Sequence, residues 1–271
     1  MMMKNCLFTL IFFFIIVGSV SAIVGGSIFG GAELPVIVKK ESILKIDFQQ
    51  PIGERSYSQP MFNGSGIENV GKIGINSIIE SIEFAQTDDK IKGIYLAMNG
   101  LTVGLANLEE LRDALEKFKS SGKFVVAYSE GYSQGTYYLA SVSDEIYLYP
   151  TGSLQWSGLS SERMFFKQML DKLEIEMQII RGSNNKFKSA VEPFITDKMS
   201  PANREQTEKY MFSFWDHMVK GISESRGISA EQLNLIADNM SISNATKAME
   251  YKFVTGVKYQ DEVDAILKEK A

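Results

Sequence analysis

Apolar and polar residues along the chain repeat with two periods, one typical of strands and the other of helices. Residues 42–50 alternate with a period of two, which predicts a strand. Residues 75–85 place isoleucine and alanine at helical spacing instead. Residues 51–71 are polar, contain glycine and predict a loop. Further strands are predicted at residues 91–98, 124–128, 145–149 and 175–179, and further helices at 108–118, 135–141 and 165–173.

The last third of the chain predicts helices alone. Ser200 followed by Pro201 is a typical helix start, a capping residue before a proline. Ser229 and Gln232 fit a capping box for a second helix, and residues 261–268 predict a third. The first of these helices carries a wide apolar stripe, formed by Tyr210, Met211, Phe214, Trp215, Met218, Val219 and Ile222. The alternation of strands and helices before it predicts an α/β fold with a parallel sheet and a helical C-terminal section.

An uncharged N-terminal run predicts contact with a membrane. No charged residue lies between Lys4 and Glu33, and the first part of that run is densely apolar. A spanning helix needs about 20 apolar residues, so residues 1–35 are predicted to be a transmembrane anchor and 36–271 the folded domain. The alternative is a cleaved signal peptide, with Val20-Ser21-Ala22 as its cleavage site. Both interpretations place the rest of the chain outside the cytoplasm.

Composition excludes several kinds of site. The chain has 28 Lys and Arg against 33 Asp and Glu, a net charge of −5, which argues against a nucleic-acid-binding protein that acts through positive charge. Cys6 is the only cysteine and His217 the only histidine, so an intramolecular disulfide and a Cys/His zinc site are excluded. His217 lies beside Asp216 in the apolar helix and is expected to be a surface or structural histidine.

Two side chains are candidates for hydrolytic chemistry. Lys188 lies among apolar neighbours, and desolvation disfavours an ammonium. To act as a general base near neutral pH its pKa must fall from about 10.4 by roughly 2–3 units; otherwise it is a solvated loop lysine. Ser133 follows a predicted strand and begins a short helix, where free N–H groups can stabilise an oxyanion. The simpler interpretation of Ser133 is a helix cap. Residues 99–104 are interpreted equally well as a ligand loop or a plain turn.

At these residues the sequence resembles the membrane-anchored signal peptide peptidases of the serine–lysine S49 class, also called protease IV. The similarity is to the N-terminal half of the long, two-repeat form and covers roughly residues 42–257. It is carried by residues 90–95, 121–127, 132–135 and 137–141, by Met199-Ser200-Pro201-Ala202, and above all by Phe187-Lys188-Ser189-Ala190-Val191-Glu192-Pro193-Phe194.

The resemblance implies a crotonase-like (ClpP-like) fold and an endopeptidase that degrades cleaved signal peptides. It implies that Lys188 is the general base of a Ser/Lys dyad, that a second repeat supplies the serine, and that no metal or organic cofactor is needed. It also implies a homo-oligomer, a ring-like tetramer, whose active sites form between protomers. The expected location is the cell inner membrane, crossed once, with the folded part on the extracytoplasmic side.

The chain departs from the family pattern at the nucleophile. It contains no Ser-Gly-Gly, and Gln134 lies where the serine of the second half would fall, one residue after Ser133. Asn99-Gly100 replaces the Pro-Gly-Gly expected in the oxyanion loop. The approach to the lysine, residues 182–186, is slightly longer than usual, which makes Lys186 a competitor for the role of base.

Three alternatives therefore stay open to the hypothesis that Lys188 is the base and that a second repeat supplies the serine. The chain is a non-catalytic or truncated homologue that serves as a scaffold or interaction protein. It is self-sufficient, with Ser133 as nucleophile and Lys188 as base, as in short members of the family. Or it uses the same fold for acyl-CoA chemistry, against which the membrane anchor and the lysine motif argue.

Overall fold

The computed structural model describes residues 38–48, 52–62, 67–101 and 103–271. The predicted transmembrane anchor, residues 1–35, lies outside the described residues. Within the described ranges, no helix has both the length and the apolar character needed to cross a membrane. The chain divides into two units, Met1–Lys39 and Lys40–Ala271, and the second contains the elements that follow.

In the described ranges of this unit, eight strands form two sheets. In chain order they are β1 (Ser42–Asp47), β2 (Ile52–Gly53), β3 (Tyr57–Phe62), β4 (Ile67–Gly74), β5 (Ile91–Ala97), β6 (Phe124–Tyr132), β7 (Glu145–Leu154) and β8 (Gly256–Val257). The larger sheet is parallel throughout, in the order β1-β5-β6-β7-β8. In the smaller sheet, β4 pairs parallel with β2 and antiparallel with β3.

The helices connect the strands of the larger sheet and then form the C-terminal section. They are α1 (Ile75–Thr87), α2 (Leu105–Lys119), α3 (Gln134–Ala140), α4 (Lys167–Lys172), α5 (Glu192–Ile195), α6 (Pro201–Arg226), α7 (Ala230–Asp238), α8 (Ala245–Glu250) and α9 (Gln260–Lys270). A 3₁₀ turn, Ser189–Val191, precedes α5. The crossover helices are what allows neighbouring strands to run parallel.

The central strands of the larger sheet, β5 and β6, are buried on both faces. Successive strand residues point to opposite sides, and in β5 both Ile94 and its neighbour Tyr95 are buried. Tyr95 joins a cluster that includes Val263 and Leu267 of α9. Gly93 sets how closely β5 approaches β6, because a Cβ at this position would lie 2.5 Å from the Phe124 ring. Two-sided burial explains why these strands are almost continuously apolar.

Most elements predicted from the periodicity are confirmed, including the α/β class, the parallel sheet and the helical C-terminal section. The predicted loop at residues 51–71 is wrong, since β2, β3 and most of β4 lie there. The predicted strand at residues 175–179 is wrong as well, because these residues pair with no strand and stay largely exposed. The helix predicted at 165–173 shortens to α4, which buries none of its residues.

Helix α6 is buried along only part of its apolar stripe. Ser200 caps it by accepting the N–H of Asn203, and Gly227, with φ of 66°, ends it in a left-handed conformation that glycine adopts without strain. Met218, Val219 and Ile222 pack in the core. Nearer the N-terminus the same helix exposes aromatic side chains: Tyr210, Phe212 and Phe214.

Candidate active site

The candidate lysine lies on an exposed segment between the larger sheet and α6. Residues 157–191, here called the lysine arm, contain no buried residue, whereas Trp156 and Glu192 at its two ends are only 2% and 7% exposed. The arm contains α4 and the 3₁₀ turn but no strand. Its position therefore depends on how its two ends attach to the core, because no side chain within it is packed there.

Lys188 is exposed and lies directly before the 3₁₀ turn. Its backbone N–H donates to the carbonyl of Asn185 at 2.9 Å. Its Nζ has no hydrogen bond or ion pair with any described residue, so the amine is available to a group from outside this part of the chain. The competing Lys186 instead places its Nζ 5.0 Å from the centre of the Phe187 ring, a cation–π contact.

The first attachment of the arm is made by Gln134 and Trp156. The Gln134 Oε1 accepts the backbone N–H groups of Ser157 and Gly158, both at 2.8 Å, and its Nε2 donates to the Gly158 carbonyl at 2.9 Å. The buried Trp156 donates its indole N–H to the carbonyl of Leu233 at 2.9 Å. Gln134, at the position where the resemblance would place a serine, thus serves as a hydrogen-bonding partner of the arm.

The second attachment joins the end of the arm to the start of α6. Glu192 accepts hydrogen bonds from Ser200 and Asn203 at the first turn of that helix. The arm also contacts α5, since the Phe166 N–H donates to the Pro193 carbonyl at 2.6 Å. The rings of Phe166 and Phe194 stack 6.0 Å apart.

Ser133, the candidate nucleophile, caps α3. Its Oγ accepts the N–H of Thr136 at 3.2 Å and lies 3.1 Å from the Thr136 hydroxyl. Within the described chain, no hydrogen bond joins Ser133 to Lys188. The structure therefore gives Ser133 a capping role, and does not pair it with the lysine.

The loop that follows β5 is held by a side-chain amide. Asn99 Oδ1 accepts the hydroxyl of the buried Ser129 at 3.0 Å and the N–H of Glu130 at 2.8 Å. These bonds tie the carboxyl ends of β5 and β6 together. The loop that lies where the family's oxyanion loop would fall is thus hydrogen-bonded to β6 at its first residue.

His217 belongs to a polar cluster on α2, α3 and α6. Its Nε2 lies 2.9 Å from Glu109 Oε2, which also accepts the Tyr138 hydroxyl at 2.6 Å. Burial opposes the Glu109 charge, but these two partners outweigh it and hold the pKa of the carboxyl below its usual value. His217 is exposed and bonded to Glu109, which agrees with the expectation of a surface or structural histidine. No group of three or more metal-ligating side chains occurs in the described ranges.

Sequence reasoning missed the polar residues that hold the arm. In the sequence, Gln134 is distinguished only as the residue in place of a serine, and Glu192 only as part of the lysine motif. Neither position has a periodic signal, because each side chain bonds to residues outside its own helix. A carboxylate shortly before a Ser-Pro helix start is the one hint the sequence offers for Glu192.

Comparisons with known proteins agree on one family. Peptidase family S49 matches residues 117–271, more than half of the chain, a region that includes Ser133 and Lys188. The chain is 40% identical to Protease 4 of Haemophilus influenzae over 163 residues, 60% of this chain and 26% of that protein. It is 32% identical to Protease 4 of Salmonella typhi over 212 residues, 75% and 34% respectively. It is 27% identical to the chloroplastic serine protease SPPA of Arabidopsis thaliana over 234 residues, 86% and 33%. The matched parts thus make up about a quarter to a third of each relative.

Proposed function

Because the chain belongs to peptidase family S49, we propose that it is the lysine-bearing part of a serine endopeptidase and that Lys188 is the general base. The single observation that carries the proposal is the placement of Lys188, whose Nζ is free of partners among the described residues on an arm attached at both ends. The names of the relatives, two proteases and one serine protease, support the same reaction class.

The proposed reaction proceeds through an acyl-enzyme. Neutral Lys188 Nζ takes the proton of a serine hydroxyl while the serine Oγ bonds to the scissile carbonyl carbon. The C–N bond then breaks, and the departing amine receives the proton from the Lys188 ammonium. Water next attacks the ester carbonyl, giving its proton to Lys188, which returns it to the serine Oγ as the acyl–oxygen bond breaks.

The proposed nucleophile belongs to a second, serine-bearing repeat. Ser133 is engaged as the cap of α3, which argues against its use as the attacking group. The matched part of the chain makes up only about a quarter to a third of the relatives, so their full length leaves room for such a repeat. We place this repeat against the lysine arm, where its serine reaches Lys188.

The exposed apolar surface of the arm supports a covering partner. Met164, Leu173 and Ile180 are 75%, 60% and 100% exposed, which is unusual for side chains of this size on one segment. A second repeat or another protomer of a homo-oligomer, a tetramer by resemblance, would cover them. The same contact would remove water from Lys188, which favours its neutral form.

The remaining features of the proposal come from the resemblance. They comprise a ClpP-like fold, signal peptides as substrates, residues 1–35 as a single membrane span, and an extracytoplasmic folded part at the inner membrane. The parallel sheet covered by helices is consistent with that fold. An apolar surface around the arm suits extended, apolar peptides. We propose no nucleic-acid partner.

A non-catalytic scaffold is the second candidate function. The capping role of Ser133 favours it, because that role leaves Lys188 without a serine among its described contacts. It requires the arm to bind a partner without chemistry, so it predicts no turnover from the full-length protein.

The test is Lys188→Ala in the full-length protein, with Lys186→Ala as the matched control on the same arm. Hydrolysis of a leucine-rich peptide with a fluorogenic coumarin amide is measured in detergent. Loss of a general base lowers kcat by about 10²–10⁴-fold, and Lys186→Ala is expected to match the wild type. Full activity of a folded Lys188→Ala protein would overturn the proposal, and an inactive wild type would favour the scaffold.

A further inference from the structure

Glu192 is an unusual residue in this fold, a buried carboxylate without an ion pair among its described contacts. Arg112 and Glu192 are the charged side chains that the structure buries in its described ranges, at 3% and 7% exposure. Burial of a charge is costly unless hydrogen bonds replace its water, so such a residue needs a structural or functional reason.

The reason lies in the contacts of the carboxylate. Its Oε1 accepts the Ser200 hydroxyl at 2.5 Å, and its Oε2 accepts the Ser200 N–H at 3.2 Å and the Asn203 amide at 2.8 Å. Asn203 is itself only 1% exposed. All three donors belong to the start of the 26-residue helix α6, whose positive end favours a negative charge.

A single hydrogen-bonded turn joins Lys188 to Glu192. The Glu192 N–H donates to the Ser189 carbonyl and closes the 3₁₀ turn that begins directly after Lys188. On the other side, the Thr196 N–H donates to the Glu192 carbonyl at 2.9 Å. A displacement of Glu192 therefore moves the Lys188 backbone, since no buried side chain in the arm holds it independently.

We propose that Glu192 is a positioning residue for the base: its carboxylate, bound at the start of α6, fixes the turn that presents Lys188 to the serine. The inference rests on the proposed function of Lys188. The Glu192 carboxylate binds Ser200 and Asn203, and it takes no part in the proposed proton transfer. It acts through Lys188, so its loss changes the rate of the chemical step more than substrate binding.

The test is Glu192→Gln in the full-length protein, with Glu224→Gln as the control at the opposite end of α6. The substitution keeps the side-chain length but replaces one acceptor oxygen with a donor facing Ser200 and Asn203. A misplacement of about 1 Å costs on the order of 10²-fold, so we expect a fall of that order in kcat with KM nearly unchanged. The acid limb of the kcat/KM profile, which reports the base, is expected to move in Glu192→Gln alone.

The outcomes separate this inference from the proposed function. Rates are divided by the folded fraction, taken from thermal unfolding, so that lost stability does not count as lost catalysis. Wild-type kcat and pH profile in folded Glu192→Gln, with Lys188→Ala inactive, would overturn the positioning role and leave the base in place. Activity in Lys188→Ala would overturn the base itself.

A second variant keeps the test decisive if Glu192→Gln does not fold. Ser200→Ala removes the 2.5 Å bond and the side-chain cap of α6, but leaves the Ser200 N–H and the Asn203 amide as donors to Glu192. A smaller fall in kcat in the same direction, again with a moved acid limb, supports the inference. An unchanged kcat and acid limb in folded Ser200→Ala would contradict it.

Discussion

The side-chain amide of Gln134 pairs with the backbone of Gly158 in both directions, accepting its N–H at 2.8 Å and donating to its carbonyl at 2.9 Å. The Gln134 Oε1 also accepts the Ser157 N–H. The side chain therefore hydrogen-bonds to this backbone much as a neighbouring strand would. It fixes the point where the lysine arm leaves the core.

Gln134→Ala removes all three bonds and is expected to destabilise the fold by about 1–3 kcal/mol, because each bond contributes about 0.5–1.5 kcal/mol and water replaces part of the loss. Gln155→Ala is the matched control, since the Gln155 side chain is exposed and makes none of the described hydrogen bonds. Urea unfolding measures the stability, and amide exchange at Ser157 and Gly158 measures the local effect. Unchanged protection of these two amides would contradict the assignment.

Ser133→Ala separates the two interpretations of the candidate nucleophile. As a cap, Ser133 contributes about 1 kcal/mol to stability, and its loss leaves the rate of peptide hydrolysis per folded molecule unchanged. Ser229→Ala is the matched control, because Ser229 caps α7 in the same way, accepting the Gln232 N–H at 3.1 Å. A similar loss of stability in both variants, with full activity, is the expected result. Loss of hydrolysis in Ser133→Ala alone would establish the self-sufficient dyad instead.

The sequence predicts the parts of this fold that local patterns determine. The strands β1, β5, β6 and β7 and the caps at Ser200 and Ser229 follow from periodicity and helix-start chemistry. The strands at residues 51–71 do not, because a short glycine-containing segment becomes a sheet only through pairing between β3 and β4. Residues 175–179 alternate as a strand would, yet they pair with no strand in the described ranges.

The sequence likewise predicts only part of the candidate site. Lys188 is identifiable from the motif around it, whereas the side chains that hold its arm are not. Gln134 lies 24 residues from its carbonyl partner Gly158, and the Glu192 carboxylate is eight residues from Ser200. Such polar contacts depend on the final packing of segments, which carries no periodic signature along the chain.

Arg112 is predicted to be essential for the packing of α2, α3 and α6. Its guanidinium donates to the Ser141 hydroxyl and the Gly221 carbonyl, each at 2.8 Å, and also to the Tyr138 carbonyl. Arg112→Met keeps the apolar stem but removes these hydrogen bonds, so we expect a loss of about 3 kcal/mol. Equilibrium urea unfolding measures it.

The control for Arg112 is Arg204→Met on α6. Arg204 is exposed and forms an i,i+4 pair with Glu208 at 3.3 Å, and such surface pairs contribute about 0.3–0.5 kcal/mol. Similar losses in the two variants would show that burial of the Arg112 guanidinium does not matter.

The stability of the fold is predicted to depend on pH through Glu192. Burial raises the pKa of its carboxyl, but the hydrogen bonds from Ser200 and Asn203 outweigh burial, and the pKa lies below its usual value. Between the folded and unfolded values the unfolded chain binds more protons, so stability rises with pH in that window. The contribution is complete above about pH 4.3, the usual glutamate value, and is lost as the pH falls through the folded value. Urea midpoints of wild type and Glu192→Gln, measured from pH 6 to pH 3, are therefore expected to converge as the pH falls. Glu224→Gln controls for the change in net charge, and a gap for Glu192→Gln that stays constant across this range would contradict the prediction.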